Sequence, residues 1–359
     1  MVADILDNAQ FFLYDIEELT LNNVIERVEV DISLNQFGEI LKETYYPDES
    51  KRVVIYDLPA LFLPYFSFTD ISGIPESTFC SALKATIHAK DSSGELNLNV
   101  TVYYSRKMVG GAVGDNVILN RYKTVATASG REEFFSFYAT DGIQVRLGVA
   151  YLQNGMAKYT VKNFTTTGML GPVCLRVSPK RVSLFAGIVE ESILYYIVTS
   201  TTAAGASDQV KYVMDRRNYR RQTTFLYYNC FGLPETITML GLQTEEPELE
   251  SETVRLLQRE KQINVKLTDS RTVNSGYMQP DKYDSLMDML ESPDIRLLED
   301  GRNIPVVITD IDFSHQRIGN ERISVSLTFR PAIRPSGRFV RNNPLKGRIF
   351  DQTFDYTFD

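Results

Sequence analysis

Only His88 and His315 supply imidazole in this chain, so a Ser-His-Asp or Cys-His site would have to be built on one of them. His88 lies in Ala85-Thr-Ile-His-Ala-Lys, which alternates as a strand does, and His315 stands beside Gln316 and Arg317, after a strand, where a solvated hairpin end is the simplest reading. The three cysteines, Cys80, Cys174 and Cys230, are odd in number and far apart, with no CxxC or metal-type spacing. They read as small core residues, and neither a disulfide framework nor a zinc site is implied. No GxSxG, HExxH, Walker loop or GxGxxG occurs. Gly110-Gly-Ala-Val-Gly114 resembles a phosphate loop but lacks the Lys-Ser/Thr that would hold phosphate and magnesium, and reads as a strand connection. Glu245, Glu246, Glu248, Glu250 and Glu252 lack the Asp/Asn alternation and the turn glycine of a calcium loop, and read as a solvated surface loop. Carboxylates are plentiful enough for a glycosidase pair, but Trp, the usual platform for sugars, is absent. This inventory points away from an enzyme and calls for no metal and no cofactor.

The formal net charge of −8 argues against a chain devoted to nucleic acid. Arg216, Arg217, Arg220 and Arg221 cluster around Tyr219, a pattern that suits a charge-protected strand edge or a contact with an acidic neighbour. The C-terminal end is the most informative part. From 322 to 350 there is no Asp or Glu, while Arg322, Arg330, Arg334, Arg338, Arg341, Lys346 and Arg348 accumulate. Phe350 then leads into Thr353-Phe-Asp-Tyr-Thr-Phe-Asp359, where Phe354, Tyr356 and Phe358 alternate with Thr and Asp. That is a strand with one apolar face. Alone it is unstable in water, so it must join a sheet, in its own chain or a neighbour's. Arg338, Arg341, Arg348, Phe350, Phe354, Tyr356 and Phe358 are therefore the candidate assembly interface.

These residues need a frame, and the frame reads as β. Leu96, Leu98, Val100, Val102 and Tyr104 alternate with polar residues, as do Ile143, Val145, Leu147 and Val149, and again Ile323, Val325, Leu327 and Phe329. Each series is a half-buried antiparallel strand. Ser92-Ser-Gly94, Asp141-Gly142, Asn154-Gly155, Asp300-Gly301 and Gly319-Asn320 supply turns. Helical signals are few: a turn after Tyr56, a short helix over 253–261, and a helix over 280–292 with Pro280 at its first position and Tyr283, Leu286, Met287 and Leu290 on one face. The fold class is mainly β, with antiparallel sandwich or barrel domains and a few short helices. The expected organisation is a β-rich region over 1–221 holding one or two sandwich-like domains, a second domain over 222–335, and an arm with a closing strand over 336–359.

Thr224-Phe-Leu-Tyr-Tyr-Asn-Cys-Phe-Gly232, an aromatic strand followed by a small-residue turn and a second strand, resembles a stretch in proteins encoded by phages and prophages of Bacteroides-type bacteria. From 262 to 330 the order is strand, helix, Ile295-Arg-Leu-Leu298, a tight turn at Asp300-Gly301, Pro305 to Phe313, and a last strand. This order is similar to the tube-type barrel domain of phage tail proteins, found in tail-tube and distal-tail (baseplate hub) proteins, and the closing residues are similar too. The resemblance covers roughly 224–359. It implies a virion structural protein of the tail tip or baseplate, assembled as a three- or six-fold homo-oligomeric ring that joins the tail tube to adhesion machinery. Its implied partners are the tail tube, hub and receptor-binding proteins.

The runner-up is a receptor- or glycan-binding tail protein, which exposed Tyr and Asn in loops of the first 220 residues would favour. The N-terminus lacks a basic and an apolar signal region, and the longest apolar run, near Pro64, is too short to span a bilayer. The expectation is a chain made in the host cytoplasm and carried in the virion tail, with neither membrane nor specific nucleic acid as a partner.

Overall fold

A computed structural model describes residues 1–110, 118–140, 143–164, 170–201, 205, 207–217, 222–256, 259–278, 280–299, 301–316 and 322–332. The mainly β expectation holds, in sheets that are antiparallel except for two parallel strand pairs among the described residues, with short helices.

The first strands are β1 (Val2–Ala3), β2 (Ala9–Phe12), β3 (Glu18–Asn22), β4 (Val28–Leu34), β5 (Gly38–Tyr45) and β6 (Arg52–Tyr56), followed by helix α1 (Leu58–Phe62). After β7 (Ser77–Phe79) come β8 (Ala82–Asp91) and β9 (Gly94–Tyr103). Sheets β1-β3-β6 and β2-β9-β8-β4-β5 enclose one core. β4 shows why: Val28, Val30, Ile32 and Leu34 are buried, while Glu29, Asp31 and Ser33 turn outward.

A second sandwich uses β10 (Thr124–Thr127), β11 (Phe134–Ala139), β12 (Gln144–Gln153), β13 (Met156–Phe164), β14 (Gly171–Arg176), helix α2 (Pro179–Ala186), β15 (Ile193–Thr201) and β16 (Ser207–Met214). Its sheets are β10-β16-β15-β12-β13 and β11-β14-β7, so β7 crosses from the first set of strands to pair with β14. Helix α2 was not among the expected helices. Pro179 starts it and Gly187, at φ 71°, ends it, but it is one short element with only Pro179 and Val182 buried. That leaves too little apolar periodicity to stand out.

The remaining strands are β17 (Thr223–Tyr228), β18 (Pro234–Met239), β19 (Gln243–Leu256) and β20 (Arg259–Asn274), then helix α3 (Pro280–Leu290), then β21 (Ile295–Glu299), β22 (Arg302–Gln316) and β23 (Arg322–Pro331). They form one seven-stranded sheet in the order β18-β17-β21-β22-β23-β20-β19, antiparallel throughout. Residues of six of these strands share a single core with Leu286 and Met289 of α3, so the sheet curls around the helix.

Three expectations change here. The short helix over 253–261 is instead hairpin: Thr253 pairs with Gln262 and Leu256 with Arg259. The acidic run is not a loop but part of β19, where Glu245 stands opposite Arg271 and Glu250 opposite Lys266 in the register. Ladder pairing with β20 holds as a strand what local charge repulsion would leave open. His315 lies inside β22, opposite Ile323, rather than beyond the strand.

On α3 the buried residues are Ser285, Leu286, Asp288 and Met289, with Tyr283 and Leu290 partly buried against the same core. The inward face therefore runs through Met289 rather than Met287.

Strands β11, β14 and β17 are buried on both faces among the described residues. On β11, Phe135 and Phe137 enter the second sandwich core, and Phe134 and Tyr138 enter a cluster on the other side. On β17, Phe225 and Tyr227 face α3, and Leu226 and Tyr228 enter that same cluster. The shared cluster also holds Phe12, Ile71, Cys80, Tyr103 and Cys174, so it joins all three sets of sheets. Gly232 shows how close the packing is. Its φ is +67°, and a Cβ there would stand 2.7 Å from the Phe68 ring.

Candidate functional site

The densest polar constellation lies where the three sets of sheets meet. Asp288 is carried on α3 and is almost fully buried. Its Oδ2 accepts the backbone N–H of Cys230 at 2.7 Å. Its Oδ1 lies 3.2 Å from Arg106 Nη2 and 3.5 Å from Lys107 Nζ. Arg106 also donates to the carbonyls of Tyr228 at 3.1 Å and Asp288 at 3.0 Å. The turn that presents Cys230 is built by Asn229, whose Oδ1 accepts the N–H groups of Phe231 and Leu233. The segment after β9, the β17–β18 turn and α3 are thus fastened at one carboxylate.

Two further carboxyls lie nearby in the interior. Glu235 and Glu133 are both raised to about 7, chiefly because burial disfavours the charged form. Asn229 donates to Glu235 Oε2 at 3.1 Å, and Lys282, Thr127 and Arg131 partly offset the effect at Glu133.

This arrangement fastens the segment after β9, the β17–β18 turn and α3 to one another. All three cysteines are buried and free. Burial raises the Cys80 thiol, and pushes Cys174 and Cys230 up to about 12, so the thiolate a nucleophile needs is suppressed. His88 Nε2 sits 3.7 Å from Glu95 Oε2 on the exposed β8–β9 hairpin, where Lys90 pairs with the same carboxylate. A polar concavity beside Gln222, Gln243 and Glu245 contains the Arg271–Glu299 pair at 3.0 Å, but neither histidine nor cysteine among its described lining residues. Among the described residues no three His, Cys, Asp or Glu side chains are grouped to hold a metal ion. No helix among them is long and apolar enough to cross a membrane.

What the molecule presents outward is strand edges. β5, β13 and β19 each end a sheet. β5 carries Glu39, Lys42 and Glu43, and β19 carries the glutamate run, in line with charge as a guard against unwanted pairing. On β13 seven of nine residues are exposed, Tyr159 at 56% and Val161 at 53%, and its charged side chains are Lys158 and Lys162. β13 is the return partner of the strand expected over Ile143–Val149. Asn154-Gly155 followed by alternating Lys158, Tyr159, Thr160, Val161 and Lys162 was the available signal.

Of the basic cluster, Arg217 pairs with Asp215 at 2.7 Å and Arg216 donates to the carbonyls of Glu191 and Ile193, while Tyr219, Arg220 and Arg221 lie outside the described residues. So do all the candidate interface residues, Arg338, Arg341, Arg348, Phe350, Phe354, Tyr356 and Phe358.

No family model and no curated protein matches the chain. Among solved structures, a chain in the virion of a native gene transfer agent particle is 17% identical, over 28% of this chain and 85% of that chain, with a TM-score of 0.22. The tail of an empty gene transfer agent particle, refined helically with C6 symmetry, gives the same values. A structure addressing Dscam isoform specificity matches at 10% identity over 78% of this chain and 70% of that chain, with a TM-score of 0.17. Likenesses at such TM-scores carry no weight for fold or function.

Proposed function

We propose that this chain is a non-enzymatic structural protein of a virion tail, and that it works by assembling with copies of itself and with other tail proteins at the tail tip or baseplate. The observation that supports this reading is the antiparallel sheet of residues 223–331 curled around α3, whose order from β20 onward, a strand, a helix and then further strands, resembles that of the tail-tube type. In this reading residues 1–221 form the decorating part, 222–335 the ring-forming unit, and 336–359 the connecting arm. A heterologous contact repeated around an axis closes a ring, here three- or six-fold. The arginines at 338, 341 and 348 steer the arm toward acidic surface such as the exposed Glu245 and Glu252 on β19.

Mass photometry of the purified full-length chain tests the reading, alongside a chain lacking 336–359. Full-length protein is expected as ring-sized oligomers, and the shortened chain as a monomer with a cooperative thermal transition. A full-length chain that stays monomeric across the micromolar range, alone and with a tail-tube partner, overturns it.

A second reading, receptor or glycan binding, rests on Tyr46 and Tyr56, which are 74% and 71% exposed at the ends of β5 and β6. Glycan-array binding lost on Tyr46→Ala and Tyr56→Ala would favour it.

A further inference from the structure

β13 is positioned to receive another strand. It follows β12 through Asn154 and Gly155, with φ of 53° and 75°, the positive pair of a tight two-residue hairpin turn. Gln153 and Met156 flank that turn as the first pair of the ladder. In such a hairpin the flanking pair exchanges both backbone hydrogen bonds, and hydrogen-bonded and non-hydrogen-bonded pairs then alternate. Counting along the β12–β13 register, Lys158, Thr160 and Lys162 spend their backbone groups on β12. The N–H and C=O groups of Ala157, Tyr159, Val161 and Asn163 therefore point out from the sheet edge.

The two faces of this edge differ in chemistry. Thr160 lies opposite Val149, a residue of the sandwich core, so Lys158, Thr160 and Lys162 line the inner rim. Val161 lies opposite Gly148 and Tyr159 opposite Ala150, and the Tyr159 ring occupies the space a Gly148 side chain would fill. With Tyr195 opposite Ala150 on the far side, the outer face here is apolar and aromatic.

The 353–359 segment has the complementary pattern. Asp355, Thr357 and Asp359 alternate with Phe354, Tyr356 and Phe358. An antiparallel addition that sets Thr357 opposite Thr160 also sets Asp359 opposite Lys158 and Asp355 opposite Lys162. The same register puts Phe358 beside Tyr159 and Tyr356 beside Val161. Both charge pairs then fall at non-hydrogen-bonded positions, where facing side chains approach most closely. Pairing two copies of β13 directly with Thr160 facing Thr160 would set Lys158 against Lys162, whereas the arm offers both lysines a carboxylate. The contact joins two different surfaces, arm and edge: passed from copy to copy around an axis it closes a ring, and exchanged reciprocally it gives a two-fold dimer. The stretch from Ala332 to Thr353 can span about 70 Å when fully extended.

We propose that residues 353–359 of one copy add as an antiparallel strand to the β13 edge of a second copy, in the register that pairs Asp355 and Asp359 with Lys162 and Lys158. The proposal rests on the assembly reading above and names the surface that would receive the arm.

The test uses full-length protein throughout. Val161→Pro removes one outward N–H while leaving the β12 ladder bonds in place, since an edge position accepts proline. It is expected to keep its thermal transition and lose the oligomer. Lys158→Asp with Lys162→Asp should weaken assembly at least tenfold in concentration, as should Asp355→Lys with Asp359→Lys, and the combined four-site variant should recover most of it. Thr160→Cys with Thr357→Cys should give a disulfide ladder between copies on oxidation, because non-hydrogen-bonded pairs suit disulfide geometry. Should Val161→Pro unfold the chain, the charge exchange and the cross-link decide alone. Oligomers that survive Val161→Pro and ignore the charge exchange sink this surface but leave the assembly reading standing. A cross-link formed only within one chain overturns the exchange between copies. A parent chain that never oligomerises and never cross-links overturns both.

Discussion

Arg106 Nη2 and Asp288 Oδ1 lie 3.2 Å apart in the interior, and the same nitrogen also reaches the Asp288 backbone carbonyl at 3.0 Å. The pair joins the segment leaving β9 to α3 across 182 residues of sequence. It ties residues that would otherwise belong to separate sandwiches into one body.

Breaking this pair from one side leaves a buried charge without its partner. Asp288→Ala and Arg106→Ala are each expected to lower unfolding free energy by about 3–5 kcal/mol. Asp288→Ala carries the additional loss of the acceptor for the Cys230 N–H. Urea denaturation with a double-mutant cycle reads the coupling. Strictly additive single losses would show that the two side chains do not interact in solution.

The direction in which α3 faces is open to the same measurement. Leu286→Ala and Met289→Ala should each cost about 2–5 kcal/mol, since both side chains are fully buried in the core of the curled sheet. Met287→Ala, outside that core, should cost under about 1 kcal/mol. A Met287 loss as large as that of Met289 would rotate the helix from the face described.

Glu133 and Glu235 give stability an uncommon pH slope. Both carboxyls rise from an ordinary 4.5 to about 7 through burial, so the folded chain holds protons that the unfolded chain has released. Their contribution is fully present below about 4.5 and is lost as pH rises through about 7. Carboxylates such as Asp48 and Asp91, lowered chiefly by hydrogen bonds, act in the opposite sense at acid pH. The difference between variant and parent therefore isolates the buried pair. Glu133→Gln and Glu235→Gln should each gain stability relative to the parent between pH 5 and pH 8, by roughly 1–3 kcal/mol. Thermal melts of parent and variants across that range test this, and parallel curves would refute it.

Much of the scaffold is local and was therefore legible in the residues alone. Ile323 to Phe329 alternates as a strand must, Asn154-Gly155 can hardly avoid a tight turn, and Pro280 with its periodic apolar residues marks α3. Cys80, Cys174 and Cys230 are core residues, as their isolation in the chain implies. Only the tertiary structure decided the rest, because it depends on partners distant in sequence. The glutamates of β19 are a strand since β20 supplies the ladder. The runs Phe134–Ala139 and Thr223–Tyr228 are buried on both faces because two cores close on each of them. Met289 rather than Met287 turns inward because the sheet wraps α3 from that side. β13 is an exposed edge because pairing order, which no run of residues encodes by itself, leaves it with a neighbour on one side only among the described strands.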